Sequence, residues 1–82
     1  MIKIVFFAAL REQLDCSELS LPVGEAKTVN DIKQLLSDKN ALWQQTFSNA
    51  SLLSAVNHDM VDGTHLVKSG DEIAFFPPVT GG

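Results

Sequence analysis

Ile73-Ala74-Phe75-Phe76-Pro77-Pro78 joins an apolar strand to two prolines, and this junction divides the chain into a body and a tail. Proline has no amide hydrogen and cannot continue a sheet ladder, so we expect the strand to end at Phe76. The residues beyond it, Val79-Thr80-Gly81-Gly82, carry no charged side chain and end in two glycines. The sequence therefore predicts a domain over residues 1–76 and an extended tail over residues 77–82.

The tail has two interpretations. Chain ends are usually poorly ordered, so a frayed end would need no function. Pro77 and Pro78, however, stiffen the tail near the domain, and Gly81 and Gly82 leave its tip without side chains. Such a tail is suited to entering a tight slot in another protein and presenting its terminal carboxylate, and we favour this second interpretation.

Composition limits the partners that the domain can have. Its 82 residues allow one modest core, and 45% apolar with 20% charged residues is typical of a globular chain. The formal net charge is −4 and the six basic residues are scattered, which argues against nucleic acid or an anionic membrane as a partner. The single cysteine, Cys16, fits a reducing compartment, and no signal peptide is visible, so we expect a cytoplasmic protein.

The first part of the chain alternates strand and helix patterns. Residues 2–7 predict a buried strand whose faces alternate, so that Phe6 faces the core and Phe7 the solvent. Residues 8–14 contain strong helix formers and predict a short helical turn. Residues 18–21 alternate leucine with polar residues and predict a half-exposed strand that can pair antiparallel with the first.

The main helix is predicted over residues 28–39. Thr28 is a candidate N-cap, and Asp31 can complete a capping box. Asn40 is a candidate for the end of the helix. The apolar residues that recur at helical spacing, and that we expect on the buried face, are Val29, Ile32, Leu35 and Leu36.

The second half adds a short helix and three strands. The helix is predicted over residues 41–47. Two strands, joined by a polar turn, are predicted over residues 52–57 and 60–61, and the closing strand is predicted over residues 72–76. Two aromatic residues of the short helix share a side and are expected in the core; they are Trp43 and Phe47.

This order of elements predicts an α+β fold, in which one main helix covers one face of a mixed sheet of about five strands. A β-grasp sheet is the natural candidate for a chain of this length. In that arrangement the first and last strands lie side by side and parallel in the middle of the sheet. Both are the most continuously apolar strands of this chain, as buried central strands should be.

Few residues indicate a free-standing catalyst. His58 and His65 are seven apart with Asp59 and Asp62 between them, but a metal site needs three or four converging ligands, and this spacing matches no metal motif. Loop polarity explains these residues better, and we expect no metal site. Cys16 lacks the basic or histidine neighbours that would activate its thiol.

A surface for a partner is the stronger prediction. If Phe75 faces the core, Phe76 lies beside Phe7 on the open face of the sheet, and Met60 can join them after the polar turn. An exposed apolar patch of this kind usually marks a partner site. The alternative is that a loop, or the short helix near Leu10, covers these residues.

Three stretches of the chain carry a resemblance to a known family: Met1-Ile2-Lys3-Ile4-Val5-Phe6-Phe7-Ala8, Ala55-Val56-Asn57 and Gly70-Asp71-Glu72-Ile73-Ala74-Phe75-Phe76-Pro77-Pro78-Val79-Thr80-Gly81-Gly82. In these stretches and in layout the chain resembles the small, sulfur-carrier subunit of molybdopterin synthase. The di-glycine alone is shared with the thiamine sulfur carrier and with ubiquitin. The Phe-Phe-Pro-Pro-Val-Thr lead-in is particular to the molybdopterin branch.

The resemblance implies a ubiquitin-like β-grasp fold and a chemical role for Gly82. An ATP-using, ubiquitin-activating-like adenylyltransferase would adenylate its carboxylate, and the adenylate would become a thiocarboxylate. The large subunit of molybdopterin synthase would take up residues 77–82, and the sulfur would pass to cyclic pyranopterin monophosphate. No cofactor would be bound permanently to this chain.

The resemblance also implies an assembly of two small and two large subunits. Phe7, Met60 and Phe76 would line the surface used for both partners, and Arg11 would add a polar contact. Two other functions stay open at this point. One is a sulfur carrier for thiamine synthesis or tRNA thiolation, and the other is a β-grasp interaction module whose tail is never activated.

Overall fold

The computed structural model describes residues 1–22, 24–48 and 52–77. The predicted tail residues Pro78, Val79, Thr80, Gly81 and Gly82 lie outside the described residues. In chain order the elements are β1 (Ile2–Phe6), α1 (Ala8–Leu14), β2 (Glu18–Leu21), α2 (Val29–Ser37), α3 (Ala41–Phe47), β3 (Leu53–Val56), β4 (Asp59–Val61) and β5 (Glu72–Phe76). No helix in this described part of the chain is long and apolar enough to cross a membrane.

The strands form one mixed sheet of five in the order β2-β1-β5-β3-β4. β1 and β5 are parallel neighbours, with Ile4 opposite Ile73 and Phe6 opposite Phe75. β2 pairs antiparallel with β1, and β3 pairs antiparallel with β5. The first and last strands therefore lie inside the sheet, which confirms the predicted ubiquitin-like β-grasp arrangement.

One face of the sheet is buried beneath the helices. Alternate residues of β1 and β5 point to that face, and Ile4, Phe6, Ile73 and Phe75 are at most 1% exposed. The helices contribute Leu10, Leu14, Val29, Ile32, Leu36, Trp43 and Phe47 to the same core. The helices therefore share one side of the sheet with the inward-facing strand residues.

Aromatic rings occupy the centre of this core. The Phe6 ring meets that of Trp43 edge-on, with centroids 5.4 Å apart, and the Phe47 ring meets that of Phe75 edge-on at 5.3 Å. Edge-to-face pairs of this kind are favoured by the ring quadrupoles. The predicted core positions of Trp43 and Phe47 are confirmed.

A capping box starts α2, as the sequence predicts. The backbone N–H of Asp31 donates to Thr28 Oγ1 at 3.2 Å, and the N–H of Thr28 donates to Asp31 Oδ2 at 3.1 Å. The backbone N–H groups of Lys27 and Thr28 hold the pKa of Asp31 below its ordinary value. Asn40 does not end α2: its Oδ1 accepts from the N–H of Trp43 at 3.1 Å, so it caps α3.

Leu35 was predicted on the buried face of α2, and this is wrong. Its side chain is 46% exposed, whereas Leu36 is fully buried. Val29, Ile32 and Leu36 already define one stripe on this short helix, and Leu35 lies at its edge. There it lines a shallow cleft of about 370 Å³ beside the loop that follows β2.

Hydrogen bonds connect the β3–β4 turn to the start of β5. We call the group that makes them the polar lock: Asn57, Lys68, Asp71 and Glu72. Asn57 Nδ2 donates to Asp71 Oδ1 at 3.0 Å, while Asn57 Oδ1 accepts from the N–H of Glu72 at 3.0 Å. The N–H of Lys68 donates to the other Asp71 oxygen at 2.9 Å. Asn57 has a positive φ of 50°, a left-handed conformation that asparagine tolerates better than most residues.

The lock keeps Asp71 ionised although it is buried. Burial would raise the pKa of this carboxyl, but the hydrogen bonds from Asn57 and Lys68 outweigh burial and hold its pKa below the ordinary value. Both donors favour the charged form. Asp71 is therefore a structural carboxylate that the fold uses to fix one turn against another.

The two neighbouring leucines of α2 give a matched test of the core boundary. We expect Leu36→Ala to lower the free energy of unfolding by roughly 3 kcal/mol, because it leaves a cavity in the core. Leu35→Ala should cost less than about 1 kcal/mol, since its side chain already meets solvent. Urea unfolding of both variants measures the difference, and equal losses would contradict the assigned helix face.

Asp71→Asn should cost about 2 kcal/mol at neutral pH, because the amide has only one acceptor oxygen and leaves either Asn57 Nδ2 or the Lys68 N–H without a partner. The pKa of Asp71 is lower in the folded protein than its ordinary value of 3.8. The charge of Asp71 therefore stabilises the fold at pH values above this ordinary pKa, and the contribution is lost as the pH falls through the lower pKa of the folded protein. The gap between wild type and Asp71→Asn should therefore close in acid.

Urea unfolding from pH 7 to acid measures this gap. Asp15→Asn is the control, because Asp15 is exposed at the left-handed C-cap of α1, where asparagine fits equally well. If the Asp71→Asn gap stays constant as the pH falls, the carboxylate does not act through its charge.

Candidate functional site

The face of the sheet away from the helices carries a continuous apolar surface. The register places Val5 opposite Ala74, Ala74 opposite Ala55, and Ala55 opposite Met60, so these four side chains form a row across four strands. Leu53 lies opposite Phe76 in the next row toward the tail. We call this set, completed by Phe7, the apolar surface: Val5, Phe7, Leu53, Ala55, Met60, Ala74 and Phe76.

Phe7 and Phe76 occupy the tail end of the apolar surface. The N–H of Phe7 donates to the carbonyl of Phe75 at 3.2 Å, so Phe7 extends the parallel ladder of β1 with β5 by one residue. Its extended backbone continues the alternation of the strand and puts its side chain on the Val5 face. Phe7 is 48% exposed and Met60 60%, while Phe76 is half-buried.

The short helix α1 does not cover the apolar surface. Leu10 and Leu14 are 3% and 6% exposed and belong to the core on the opposite side of the sheet. Of the two alternatives that the sequence left open, the structure therefore supports the open patch within the described residues. Arg11 is exposed on α1, four residues beyond Phe7. A partner-binding role for these residues stays a prediction.

The root of the tail lies next to a second depression. Pro77 is half-buried and lines a cleft of about 390 Å³ on the helix side of the sheet end. Gln13 Nε2 donates to Thr46 Oγ1 across this cleft at 3.2 Å. The chain thus leaves β5 between the apolar surface on one side and a polar cleft on the other.

The residues that might have formed a metal or redox site are scattered. His58 has an 88% exposed side chain, and His65 is exposed as well. Within residues 1–22, 24–48 and 52–77 no three histidine, cysteine or acidic side chains come together as ligands. Cys16 is half-buried, and its Sγ lies 3.4 Å from the carbonyl oxygen of Glu18.

Sequence reasoning missed one feature of the open face. Lys3 Nζ lies 3.3 Å from Glu18 Oε2 and 3.9 Å from Glu72 Oε1, which links three strands by charge. Alternation indicates that Lys3 faces solvent, but only the strand register shows which carboxylates stand beside it. The parallel pairing of β1 with β5 that a β-grasp fold predicts would have placed Lys3 opposite Glu72.

Comparison with known proteins agrees with this architecture. The model of the ThiS family matches residues 4–82. The molybdopterin synthase sulfur carrier subunit of Escherichia coli (strain K12) is 39% identical over 84 residues, a match that covers 100% of both chains. The similarity thus extends over the body and the tail.

Solved structures show the same fold. The crystal structure of SAMP1 from Haloferax volcanii matches with a TM-score of 0.81 at 23% identity, covering 99% of this chain and 98% of that one. A chain from the protein–protein complex of subunits 1 and 2 of molybdopterin-converting factor from Helicobacter pylori 26695 matches with a TM-score of 0.68 at 23% identity, covering 99% and 97%. At these identities the likeness concerns the fold alone.

Proposed function

The chain belongs to the ThiS family, and from that membership we propose that it is a sulfur carrier, the small subunit of a molybdopterin synthase. The observation that carries this proposal is the 39% identity to the Escherichia coli sulfur carrier subunit over the whole of both chains. The uncovered apolar surface at the root of the tail supports it, because a carrier must dock before its end can react.

Activation begins at the Gly82 carboxylate. A carboxylate is a poor electrophile, so its oxygen first attacks the α-phosphorus of ATP, which forms an acyl-adenylate and releases pyrophosphate. A sulfur nucleophile then displaces AMP and leaves a thiocarboxylate on Gly82. An ATP-using, ubiquitin-activating-like adenylyltransferase supplies the nucleotide site, and this chain keeps no cofactor of its own.

Sulfur transfer takes place inside the large subunit of the synthase. Pro77, Pro78, Val79, Thr80, Gly81 and Gly82 form the inserted segment, and the glycines let the backbone pass where a side chain would clash. The thiocarboxylate sulfur attacks a carbon of cyclic pyranopterin monophosphate and forms a carbon–sulfur bond, while the carbon–oxygen bond at that carbon breaks and its oxygen takes up a proton. Water then cleaves the acyl–sulfur bond, which leaves a thiol on the pterin and restores the Gly82 carboxylate. Holding sulfur and pterin together makes the transfer effectively intramolecular.

The apolar surface is the docking site in this proposal. Phe7, Met60 and Phe76 supply aromatic and thioether contacts, which are enriched in protein interfaces, and Arg11 adds a polar contact at its margin. The 39% identity to a subunit of the Escherichia coli molybdopterin synthase supports a partner from the same kind of synthase. We propose a cytoplasmic heterotetramer of two small and two large subunits, without nucleic acid or membrane.

The intact mass of the chain tests the activation step. After co-expression with its adenylyltransferase and a sulfur source, the protein should gain the mass difference of one sulfur for one oxygen. A variant that lacks Gly82 should gain nothing and should support no molybdopterin synthesis. Its thermal unfolding should match that of wild type, because the core lies within β1–β5 and the helices.

An unmodified mass in cells with a working activating enzyme would argue for an interaction module whose tail is never activated. A thiocarboxylate form that does not bind the large subunit would argue for the thiamine or tRNA-thiolation alternative. A large loss of stability on deleting Gly82 would contradict the separation of body and tail.

Phe76→Ala should weaken binding to the large subunit about tenfold or more, because truncating a buried aromatic anchor removes contact area at the centre of an interface. Isothermal titration calorimetry measures the affinity. Leu42→Ala is the control: Leu42 is an apolar residue that is 43% exposed, and it lies on α3 on the other side of the sheet. Equal affinities for the two variants would remove Phe76 from the interface.

A further inference from the structure

Four ionisable side chains form a series of contacts on the open face, near the end of β1 and β5 away from the tail. Glu18 stands opposite Val5 and reaches Lys3 diagonally. Lys3 Nζ is 3.3 Å from Glu18 Oε2 and 3.9 Å from Glu72 Oε1, and His58 Nε2 is 4.0 Å from Glu72 Oε2. We call these residues the charged row: Glu18, Lys3, Glu72 and His58. The row borders the apolar surface, since Lys3 and Glu72 each lie two residues from its members Val5 and Ala74.

The charged row carries an excess of negative charge. Two carboxylates flank the single ammonium of Lys3, and with His58 neutral the row keeps one net negative charge. Glu72 is the less exposed carboxylate, at 35% against 56% for Glu18. A carboxylate at the border of the apolar surface is poorly matched to a purely apolar partner, because docking would strip water from the carboxylate without replacing it.

The backbone of Glu72 is fixed by hydrogen bonds, but its carboxylate makes no close hydrogen bond to Lys3 or His58. Its N–H donates to Asn57 Oδ1 at 3.0 Å and its carbonyl accepts from the N–H of Asn57 at 2.8 Å, so the backbone is fixed. Its two carboxylate oxygens lie 3.9 Å from Lys3 and 4.0 Å from His58. Both distances exceed the roughly 2.7–2.9 Å of a charge-assisted hydrogen bond, so a better-placed cation could replace these contacts.

A floor of small side chains leads from the apolar surface to Glu72. Ala74 and Ala55 lie directly opposite each other on neighbouring strands, and Ala74 is two residues from Glu72 on the same face. Two residues of a strand span about 6.6 Å, which is within the length of an arginine side chain. Ala55 is only 7% exposed, whereas Ala74 is half-buried, so Ala74 is the accessible part of this floor. The methylene groups of an arginine can therefore lie on Ala74 while its guanidinium reaches both oxygens of Glu72.

We propose that the charged row is the polar boundary of the docking surface, and that the large subunit places an arginine on it. The aliphatic part of this arginine packs on Ala74, and its guanidinium binds Glu72 in place of Lys3. Arginine fits better than lysine because its planar fork matches the two carboxylate oxygens. The inference rests on the proposed function, since it names a contact of that partner.

Two charge-neutralising substitutions test the inference, because one should weaken binding to the large subunit and the other should tighten it. Binding of the full chain to the large subunit is measured by calorimetry at low and high salt. Glu72→Gln keeps the shape, should weaken binding about tenfold, and should reduce the salt dependence. Lys3→Gln removes the cation that competes for Glu72 and should tighten binding about threefold. A general loss of fold would weaken both variants, so thermal unfolding is followed alongside.

Glu25→Gln is the control, because Glu25 is an exposed carboxylate in the β2–α2 loop, outside the open face, and its affinity should equal that of wild type. Alanine substitution of each surface arginine of the large subunit completes the test. One of them should weaken binding to wild type and have little further effect on Glu72→Gln, as expected for two residues in contact.

The outcomes separate the inference from the proposed function. If the wild-type chain does not bind the large subunit, both fail. If wild type binds and Phe76→Ala weakens it, but Glu72→Gln binds as wild type does, the proposed function stands and the arginine contact is overturned. Weaker binding by Lys3→Gln would also overturn it, because the partner would then supply an acidic group to Lys3.

Discussion

Parallel pairing of β1 with β5 is the constraint on which the other features of this protein depend. It joins the two ends of the described chain, with Ile4 beside Ile73 and Phe6 beside Phe75, and so builds the sheet from segments that are about seventy residues apart. Such non-local pairing has a high entropic cost, which the burial of both strands beneath the helices offsets. The same pairing places Phe7 next to the end of β5, where the tail begins.

The side chains of each strand point alternately to the two faces of the sheet, so the two faces differ in composition. One face is a dry aromatic and aliphatic core that holds the body rigid. The other combines an apolar surface with a charged row, and in the proposed function the first supplies contact area to a partner and the second fixes its position. The Asn57–Asp71 lock stands where these parts meet, since it fixes the backbone of Glu72 and with it one end of the charged row. Asp71, which stabilises the fold, and Glu72, which belongs to the proposed docking surface, are therefore neighbours at the start of β5.

The proposed function divides the chain into a body and a tail. In that proposal the body docks and the tail carries the reacting atom, so the chemistry needs no catalytic group among the described residues of the body. This accounts for the scattered histidines and the half-buried cysteine, whose positions match no reaction. The proposal also gives a reason for an apolar surface that no described residue covers: docking requires this surface to be accessible.

Much of the fold could be read from local pattern. Alternation located β1 and β5, the Thr28–Asp31 pair located the start of α2, and aromatic spacing placed Trp43 and Phe47 in the core, because these signals depend on neighbours along the chain. Leu35, Asn40 and the charged row could not be read in this way. Whether Leu35 is buried depends on how α2 is rotated against the sheet, and whether Lys3 meets Glu72 depends on strand register; both are set by packing between segments distant in sequence.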